Sequence, residues 1–127
     1  MQPRPSATEL LAVVGEVIND EIVPALTGPA QHHARVAANI VAIVERELRL
    51  APDLDDAERE GVAALLDVDP DHDERDLTAL RSSLAEQLRA GAADHPPASD
   101  ATWAALMESV RADLRIARPG HDAWQGD

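Results

Sequence analysis

The longest uninterrupted pattern of apolar and polar positions runs from Pro29 to Leu50. After Pro29 this stretch contains no Pro or Gly, and its apolar residues recur at the three- and four-residue spacing of an amphipathic helix. At 100° per residue, one half-circle holds the apolar arc, which consists of Leu50, Ile43, Val36, Ile40, Val44, Ala37, Leu48 and Val41. An arc this wide faces more than one neighbour, so the pattern predicts the central helix of an all-α domain.

Two narrower features share this central helix. Ala34, Ala38 and Ala42 form a ridge of small residues, which would admit another backbone closely. Arg35, Asn39 and Arg46 form a polar strip beside that ridge, and we call these three residues the polar strip. Three interpretations of the polar strip stay open, namely a solvated face, a protein interface, and a site for phosphate or another anion.

Capping and breaking residues predict where the first helices begin and end. Ser6 and Glu9 form a capping-box pattern that starts the first helix, and Pro24 should end or kink it. Gly28 leads into the central helix, which Ala51-Pro52 should stop. The later helices are expected, in order, over 54–67 with Asp53 as its cap, over 74–90 with Gly91 as its stop, and after a Ser99 or Asp100 cap as far as Pro119-Gly120.

These elements predict a single-domain helical bundle of four to five helices. A chain of 127 residues suits one domain, here residues 1–127, with an ordered core of about 7–118. Residues 1–5 and 120–127 are expected to be tails unless Trp124 docks. The residues expected to be buried together are Val36, Ile40, Val44, Leu80, Leu84, Val110 and Leu114.

The formal net charge of −13 is unevenly distributed. Residues 1–50 carry six acidic residues and four Arg, a net −2, whereas residues 51–127 carry eighteen and seven, a net −11. Nucleic acid and anionic membranes are therefore not expected as partners, because such a surface releases no counterions from them. The nearly neutral first half is where a protein partner is expected to bind.

The amino-acid composition gives further expectations about the source of the protein, its cellular location and the catalytic chemistry open to it. The chain has no Cys, and all eleven basic residues are Arg, a habit typical of high-GC bacteria. No signal pattern or long apolar run is present, which favours the cytoplasm. Without Cys, Lys, Gly-x-Ser-x-Gly, His-Glu-x-x-His or Glu-x-x-His, the sequence offers no nucleophile, phosphate loop or bundle metal motif. We therefore assign no catalytic residue, metal or cofactor, and favour a protein without catalysis.

The segment from Asp67 to Asp73 places carboxylates at every second position, as calcium loops do. A calcium loop also needs Gly at its sixth position and Glu at its twelfth, where this chain has His72 and Thr78. The segment is therefore interpreted as a solvated acidic turn before the next helix.

Glu21 and His33 interrupt the apolar faces of the first two helices. If these helices form an antiparallel hairpin about Gly28, Glu21 comes to a similar height as His33 and Arg35, and could pair with one of them. Such a pair would either pin the hairpin or provide a ligand-binding or acid–base site.

The block from Glu21 to Glu47 carries a resemblance. Its segments EIVPAL (21–26), HARVAAN (33–39) and IVERE (43–47) resemble a small uncharacterised bacterial helical domain family. That family accompanies aminoglycoside-phosphotransferase-like and acyl-CoA-dehydrogenase-like proteins. The resemblance covers roughly residues 7–119 and departs in the acidic linkers. It brings no catalytic residues, and it implies a phosphotransferase-like protein partner.

Two functions are compatible with these observations. The first is a non-catalytic accessory protein that binds a phosphotransferase-like partner through the polar strip beside Ala38 and Ala42, with a homodimer as another association left open. The second is a helical bundle that binds an acyl or CoA-type ligand, with Glu21 and His33 in an acid–base role. The candidate binding residues for the two functions together are Arg35, Asn39, Arg46, Glu21 and His33.

Overall fold

The computed structural model describes residues 4–121, and all regular elements in that range are helices. This confirms the predicted all-α fold class. The elements are α1 (Ala7–Val17), a π-helical segment (Ile18–Ile22), α2 (Val23–Ala25), α3 (Gly28–Leu66), α4 (Leu77–Arg89) and α5 (Ala98–Ala117). Trp124 and most of the two predicted tails lie outside the described residues.

The chain divides between Ala51 and Pro52 into two units. The first unit contains α1, the π-helical segment, α2 and the first part of α3. The second contains the rest of α3 together with α4 and α5. The prediction of a single domain stays a prediction, and each unit is described by itself.

The start of α1 follows the predicted capping box. The Ser6 hydroxyl accepts a hydrogen bond from the Glu9 backbone N–H at 3.2 Å, and the Glu9 carboxylate accepts one from the Ser6 N–H at 3.3 Å. After Val17 the helix widens, and the Val23 N–H bonds to the carbonyl of Ile18, five residues earlier. Pro24 follows this wide turn and lies inside the short α2.

Helix α3 continues through Pro52, so the prediction that Ala51-Pro52 stops the central helix is wrong. Proline removes one backbone hydrogen bond, and the good helix formers on both sides retain theirs. Asp53 consequently lies within α3 and does not cap a new helix. The separate helix predicted over 54–67 is the last part of α3, which ends at Leu66 before Asp67 at a φ of 57°.

In the first unit, α1 packs against the first part of α3. A methyl group placed on Gly15 would lie 3.8 Å from a Cγ atom of Val41, and the Gln31 side-chain amide donates to the Val23 carbonyl at 3.0 Å. These two contacts pair positions before and after Gly28 in reverse order, so the helices form an antiparallel hairpin. Ala38 is buried in this contact, with 3 % of its surface exposed.

This packing overturns the predicted core of the central helix. The side chains of Val36, Ile40 and Val44 are exposed, with Ile40 at 53 %. Helix α1 contacts Val41 at one edge of the apolar arc, near the small residue Ala38, and leaves these three members of the arc uncovered. On α5, Val110 is likewise exposed at 52 %, and Leu114 is only half-buried.

The core of the second unit contains the two predicted residues that are buried. Leu80 is fully enclosed and Leu84 is 7 % exposed, and both pack with Val62 of α3. Asp76 caps α4 by accepting a hydrogen bond from the Ala79 N–H at 2.8 Å. Gly91 follows α4 with a φ of 93°, a left-handed conformation that glycine adopts readily.

Helix α5 starts differently from the prediction. It begins at Ala98 after Pro97, so the predicted caps Ser99 and Asp100 lie in its first turn. An aspartate there still interacts favourably with the positive end of the helix dipole. Within residues 4–121, every helix is too short or too polar to cross a membrane.

Candidate functional site

The hairpin of the first unit exposes a continuous set of large apolar side chains. Each of them is between 39 % and 57 % exposed. We call this surface the hairpin face, and it consists of Leu10, Val13, Val14 and Val17 on α1 and of Val36, Ile40, Val44 and Leu48 on α3.

Helical geometry places the two halves of the hairpin face on the same side of the hairpin. At about 100° per residue, the exposed apolar stripe of α1 lies about 130° behind the half-buried residues of that helix, and the stripe of α3 lies about 130° behind its buried and half-buried residues. Since the two helices run antiparallel, the same rotational sense on each turns both stripes toward one side.

The polar strip lies on the other side of this hairpin. Arg35 and Asn39 are exposed, whereas Arg46 is half-buried and is engaged in an interaction of its own. The small residues expected to let a partner approach this strip, Ala38 and Ala42, are instead buried and half-buried. The three polar residues keep their predicted proximity on α3, but they lack the accessible Ala ridge that was expected beside them.

Glu21 and His33 are both exposed. Among the described residues, no hydrogen bond or ion pair joins Glu21 to His33 or to Arg35, so the predicted pairing is not present. The π-helical segment contains Glu21 and changes the rotation of the chain there, which the assumption of a regular α-helix did not include. His33 falls at the same rotation as Ile40 and Val44, so it borders the hairpin face.

The acidic turn of the second unit is organised by an arginine from α3. The Arg59 guanidinium donates to the backbone carbonyls of Pro70 at 3.1 Å, Asp73 at 2.5 Å and Arg75 at 2.6 Å. Backbone carbonyls that a turn leaves without partners are thereby satisfied. The sequence contained no local sign of this role, because Arg59 lies at least eleven positions from the carbonyls it binds.

The carboxylates of the same turn are occupied by nearby donors. Asp73 accepts hydrogen bonds from the Arg75 side chain, and these bonds, together with one from the Arg75 N–H, lower the pKa of Asp73 to about 2. Asp69 accepts from the Asp71 N–H and the His72 ring, which lowers its pKa. Within residues 4–121, no three His, Asp or Glu side chains are arranged to hold a metal ion. The turn therefore has the internal bonding of a structural loop.

The second unit also contains a cavity of about 810 Å³ between the last part of α3, α4 and α5. Its walls are mainly Leu, Val and Ala side chains, and Gly61 contributes a bare stretch of α3. Neither Glu21 nor His33 belongs to its lining. The sequence did not indicate this cavity, since its walls come from segments up to sixty residues apart.

An ion pair lies in the wall of this cavity. Arg81 on α4 donates from Nε to one carboxylate oxygen of Glu58 at 2.7 Å and from Nη2 to the other oxygen. The pKa of Glu58 is lowered by this hydrogen-bonded pairing with Arg81 and, to a lesser degree, by a hydrogen bond from Ser109 on α5. The Glu58 carboxylate thus contacts all three of the cavity's helical segments.

Comparison with known proteins identifies the family of the chain but assigns no chemical activity to it. No curated protein and no solved structure matches the chain. The family model that does match describes a domain of unknown function, DUF6285, and it covers residues 24–121. This agrees with the resemblance to an uncharacterised helical family. Because the match takes in well over half of the sequence, including the whole of α3, α4 and α5, the chain belongs to the DUF6285 family.

Proposed function

We propose that this protein is a non-catalytic helical interaction protein of the cytoplasm, which docks onto another protein through the hairpin face. The observation that carries the proposal is the exposure of eight large apolar side chains on one side of a two-helix hairpin. Two helices bury only the seam between them, so a wide apolar side needs cover from elsewhere.

The size of the hairpin face supports a protein occupant. Eight Val, Leu and Ile side chains, each about half exposed, present on the order of 600 Å² of apolar surface, near the upper limit for a monomer's largest patch. A stable protein interface buries roughly 800 Å² per partner, and a rim of neighbouring residues would add the remainder. The area is thus suited to one protein-sized contact.

Charge supports the same location. Residues 1–50 carry a net charge of −2, against −11 for residues 51–127. Most intracellular proteins are acidic or neutral, so they meet less repulsion at the first unit than at the second. Arg35, which is exposed on the other side of the hairpin, would contribute charge-assisted hydrogen bonds where a partner extends around α3.

The resemblance of the block from Glu21 to Glu47 makes a phosphotransferase-like protein the proposed partner. We expect that partner to offer an apolar surface with few charges at its centre, because an unpaired charge buried against the hairpin face would oppose binding. The proposed arrangement is a stable complex in which the phosphotransferase-like protein supplies any chemistry.

Two adjacent residues of α3 provide a matched experiment. Ile40 is part of the hairpin face, while Asn39 is part of the polar strip, and both are exposed. Ile40→Glu and Asn39→Glu introduce the same charge one position apart. The affinity of each variant for the co-expressed phosphotransferase-like protein is measured by calorimetry, with circular dichroism to show that the helices are intact.

We expect Ile40→Glu to weaken the complex at least tenfold and Asn39→Glu to leave it within about threefold, because a buried unpaired charge costs several kcal/mol. If Asn39→Glu weakens the complex and Ile40→Glu does not, the interface lies at the polar strip and not at the hairpin face. If the unmodified proteins form no complex, the phosphotransferase-like protein is not the partner.

A further inference from the structure

The cavity of the second unit has the dimensions of a ligand site. Its volume of about 810 Å³ lies within the range of roughly 300–1,000 Å³ that small-molecule pockets occupy. Close-packed protein interiors leave few voids larger than a water molecule. This space is not such an internal void but a cleft that opens to solvent between three helical segments, so its size is compared with that of ligand pockets.

The cavity exists because small residues line it where larger ones would fit. A Cβ atom added to Gly61 would meet no other atom within 4 Å, so the wall of α3 stands clear of its neighbours there. Ala85 on α4 and Ala105 on α5 leave similar room. Glycine inside a helix also makes the helix less stable than alanine would. Gly61 therefore lowers the stability of α3 without improving its packing.

The large apolar side chains of the lining come from all three helical segments. Leu54, Val62 and Leu65 belong to α3, Leu84 and Leu88 to α4, and Leu106 to α5. These side chains would contact a hydrocarbon chain or ring along its length. The core residues Leu80 and Leu84 remain packed with Val62 beside the cavity, so the space is bounded by a formed core.

The charged groups of the lining determine which ligands are compatible. They comprise the carboxylates of Glu58, Glu108 and Asp113 and the guanidinium groups of Arg81 and Arg115. Arg81 is already bonded to Glu58 through both carboxylate oxygens, so it is not available as an anion receptor. Arg115 has an interaction of its own. Glu108 is likewise bonded, since its carboxylate accepts a hydrogen bond from Arg111 at 2.7 Å. Both guanidinium groups of the lining are thus engaged, while the Asp113 carboxylate adds a negative charge, so the lining disfavours a negatively charged ligand.

We propose that this cavity binds a small amphiphilic molecule that has an apolar body and an uncharged or cationic polar end. The apolar body lies against the Leu and Val walls, and the polar end lies near the carboxylate of Asp113. This site is independent of the hairpin face, and it excludes the CoA-type ligand of the sequence-based alternative, since CoA carries several negative charges.

Three probes with the same ten-carbon chain test the charge preference. Decan-1-ol, decylammonium and decanoate are titrated into the full chain at pH 7 by calorimetry, below the concentrations at which each self-associates. We expect one site for decan-1-ol and for decylammonium, and at least tenfold weaker binding of decanoate. Absence of binding by the first two, or decanoate as the tightest of the three, would overturn the proposal.

Two substitutions at Gly61 test the location of the site. Gly61→Leu projects a side chain into the cavity, whereas Gly61→Ala improves the helix and leaves most of the space. We expect Gly61→Leu to weaken decylammonium binding at least tenfold and Gly61→Ala to preserve it. Unchanged binding by a folded Gly61→Leu variant would place the probe elsewhere and refute the assignment.

A second filling variant keeps the test decisive if Gly61→Leu does not fold. Ala105→Leu fills the same cavity from α5 and is expected to produce the same loss. Ile40→Glu alters the hairpin face only, so decylammonium affinity should be unchanged in that variant. Loss of binding in Ile40→Glu, with binding retained in Ala105→Leu, would show that the probe occupies the hairpin face and would overturn the proposal.

Discussion

Glu58 and Arg81 form a two-point ion pair that joins the last part of α3 to α4 across 23 positions of sequence. The Glu58 side chain is 16 % exposed and that of Arg81 is 51 % exposed. Hydrogen bonding to Arg81 lowers the pKa of Glu58 in the folded protein. The unfolded chain therefore binds more protons in the acid range, so the pair's contribution to stability is present above the ordinary Glu pKa and is lost as the pH falls through it toward the folded value.

Replacing Glu58 by Gln should therefore produce a pH-dependent loss of stability. At pH 7 we expect the free energy of unfolding to fall by about 1 kcal/mol, a value that allows for solvent screening of a pair that is partly exposed. The difference from the unmodified protein should shrink as the pH falls below about 4.3, where unfolded Glu becomes protonated. Urea denaturation over pH 3–7 measures this, with the exposed Glu60→Gln as control. A difference that grows on acidification would contradict the assignment.

Removing the Arg59 side chain should loosen the acidic turn. Arg59→Gln deletes three charge-assisted hydrogen bonds to backbone carbonyls, and such bonds contribute about 1.5–3 kcal/mol each at best and do not add fully. We expect a loss of about 2–3 kcal/mol in denaturant unfolding. Arg49→Gln is the control, because Arg49 makes one exposed bond to Glu45 within the same helix, and such pairs contribute little to stability. Equal effects of the two substitutions would show that Arg59 does not hold the turn.

Truncation of Leu80 and of Ile40 should destabilise the isolated protein to very different extents. Leu80 is fully buried, so Leu80→Ala should cost about 2–5 kcal/mol. Ile40 is 53 % exposed, and Ile40→Ala should cost less than about 1 kcal/mol. Thermal and urea unfolding of both variants gives the comparison. A large loss from Ile40→Ala would show that the hairpin face is covered in the isolated chain.

Pro52 provides a test of the continuity of α3. Pro52→Ala adds a backbone N–H in the middle of the helix and removes the clash of the proline ring with the preceding turn. We expect a gain of about 1–3 kcal/mol in the free energy of unfolding and an increase in helical circular dichroism. Pro119→Ala, beyond the end of α5, is the control and should change stability little. A loss of stability in Pro52→Ala would indicate that α3 is interrupted there.

Arg75 should set the protonation of Asp73. With the Arg75 side chain removed, the pKa of Asp73 is expected to rise from about 2 toward the ordinary value near 3.9, because the main donors to the ionised carboxylate are lost. Carboxyl carbon shifts followed by NMR during an acid titration measure both values. Ser83→Ala removes only the hydroxyl that Arg75 also contacts, so it should leave the Asp73 pKa nearly unchanged.

Local signals predicted local structure well in this chain. The capping box of Ser6 and Glu9 needs only residues three positions apart, and it forms as expected. Gly91 takes the left-handed conformation after α4 because no other residue accepts it so readily. The prediction that the helix stops at Pro52 is wrong. A proline lowers the stability of a helix, but long runs of good helix formers on either side can outweigh that loss.

The pattern on α3 shows why the core was harder to predict. Periodicity establishes that Val36, Ile40 and Val44 share a face of α3. It does not establish whether a neighbouring helix packs on this face or on the face around Ala38. The cavity and the Glu58–Arg81 pair depend on segments far apart in sequence, so no spacing rule could have indicated them. The exposed Glu21 and His33 show the same limit, because their proposed meeting assumed a regular helix where a π-helical segment lies.

The π-helical segment has a consequence for how the length of this chain can vary. A turn that carries one residue more than an α-helical turn is equivalent to a single-residue insertion, and here it lies directly before Pro24. Deleting one residue from 18–22 would restore the α-helical register and bring a backbone carbonyl of the turn against the proline ring. Insertion and proline therefore compensate each other, so deleting one residue from this turn should cost more stability when proline follows the turn than when alanine replaces that proline.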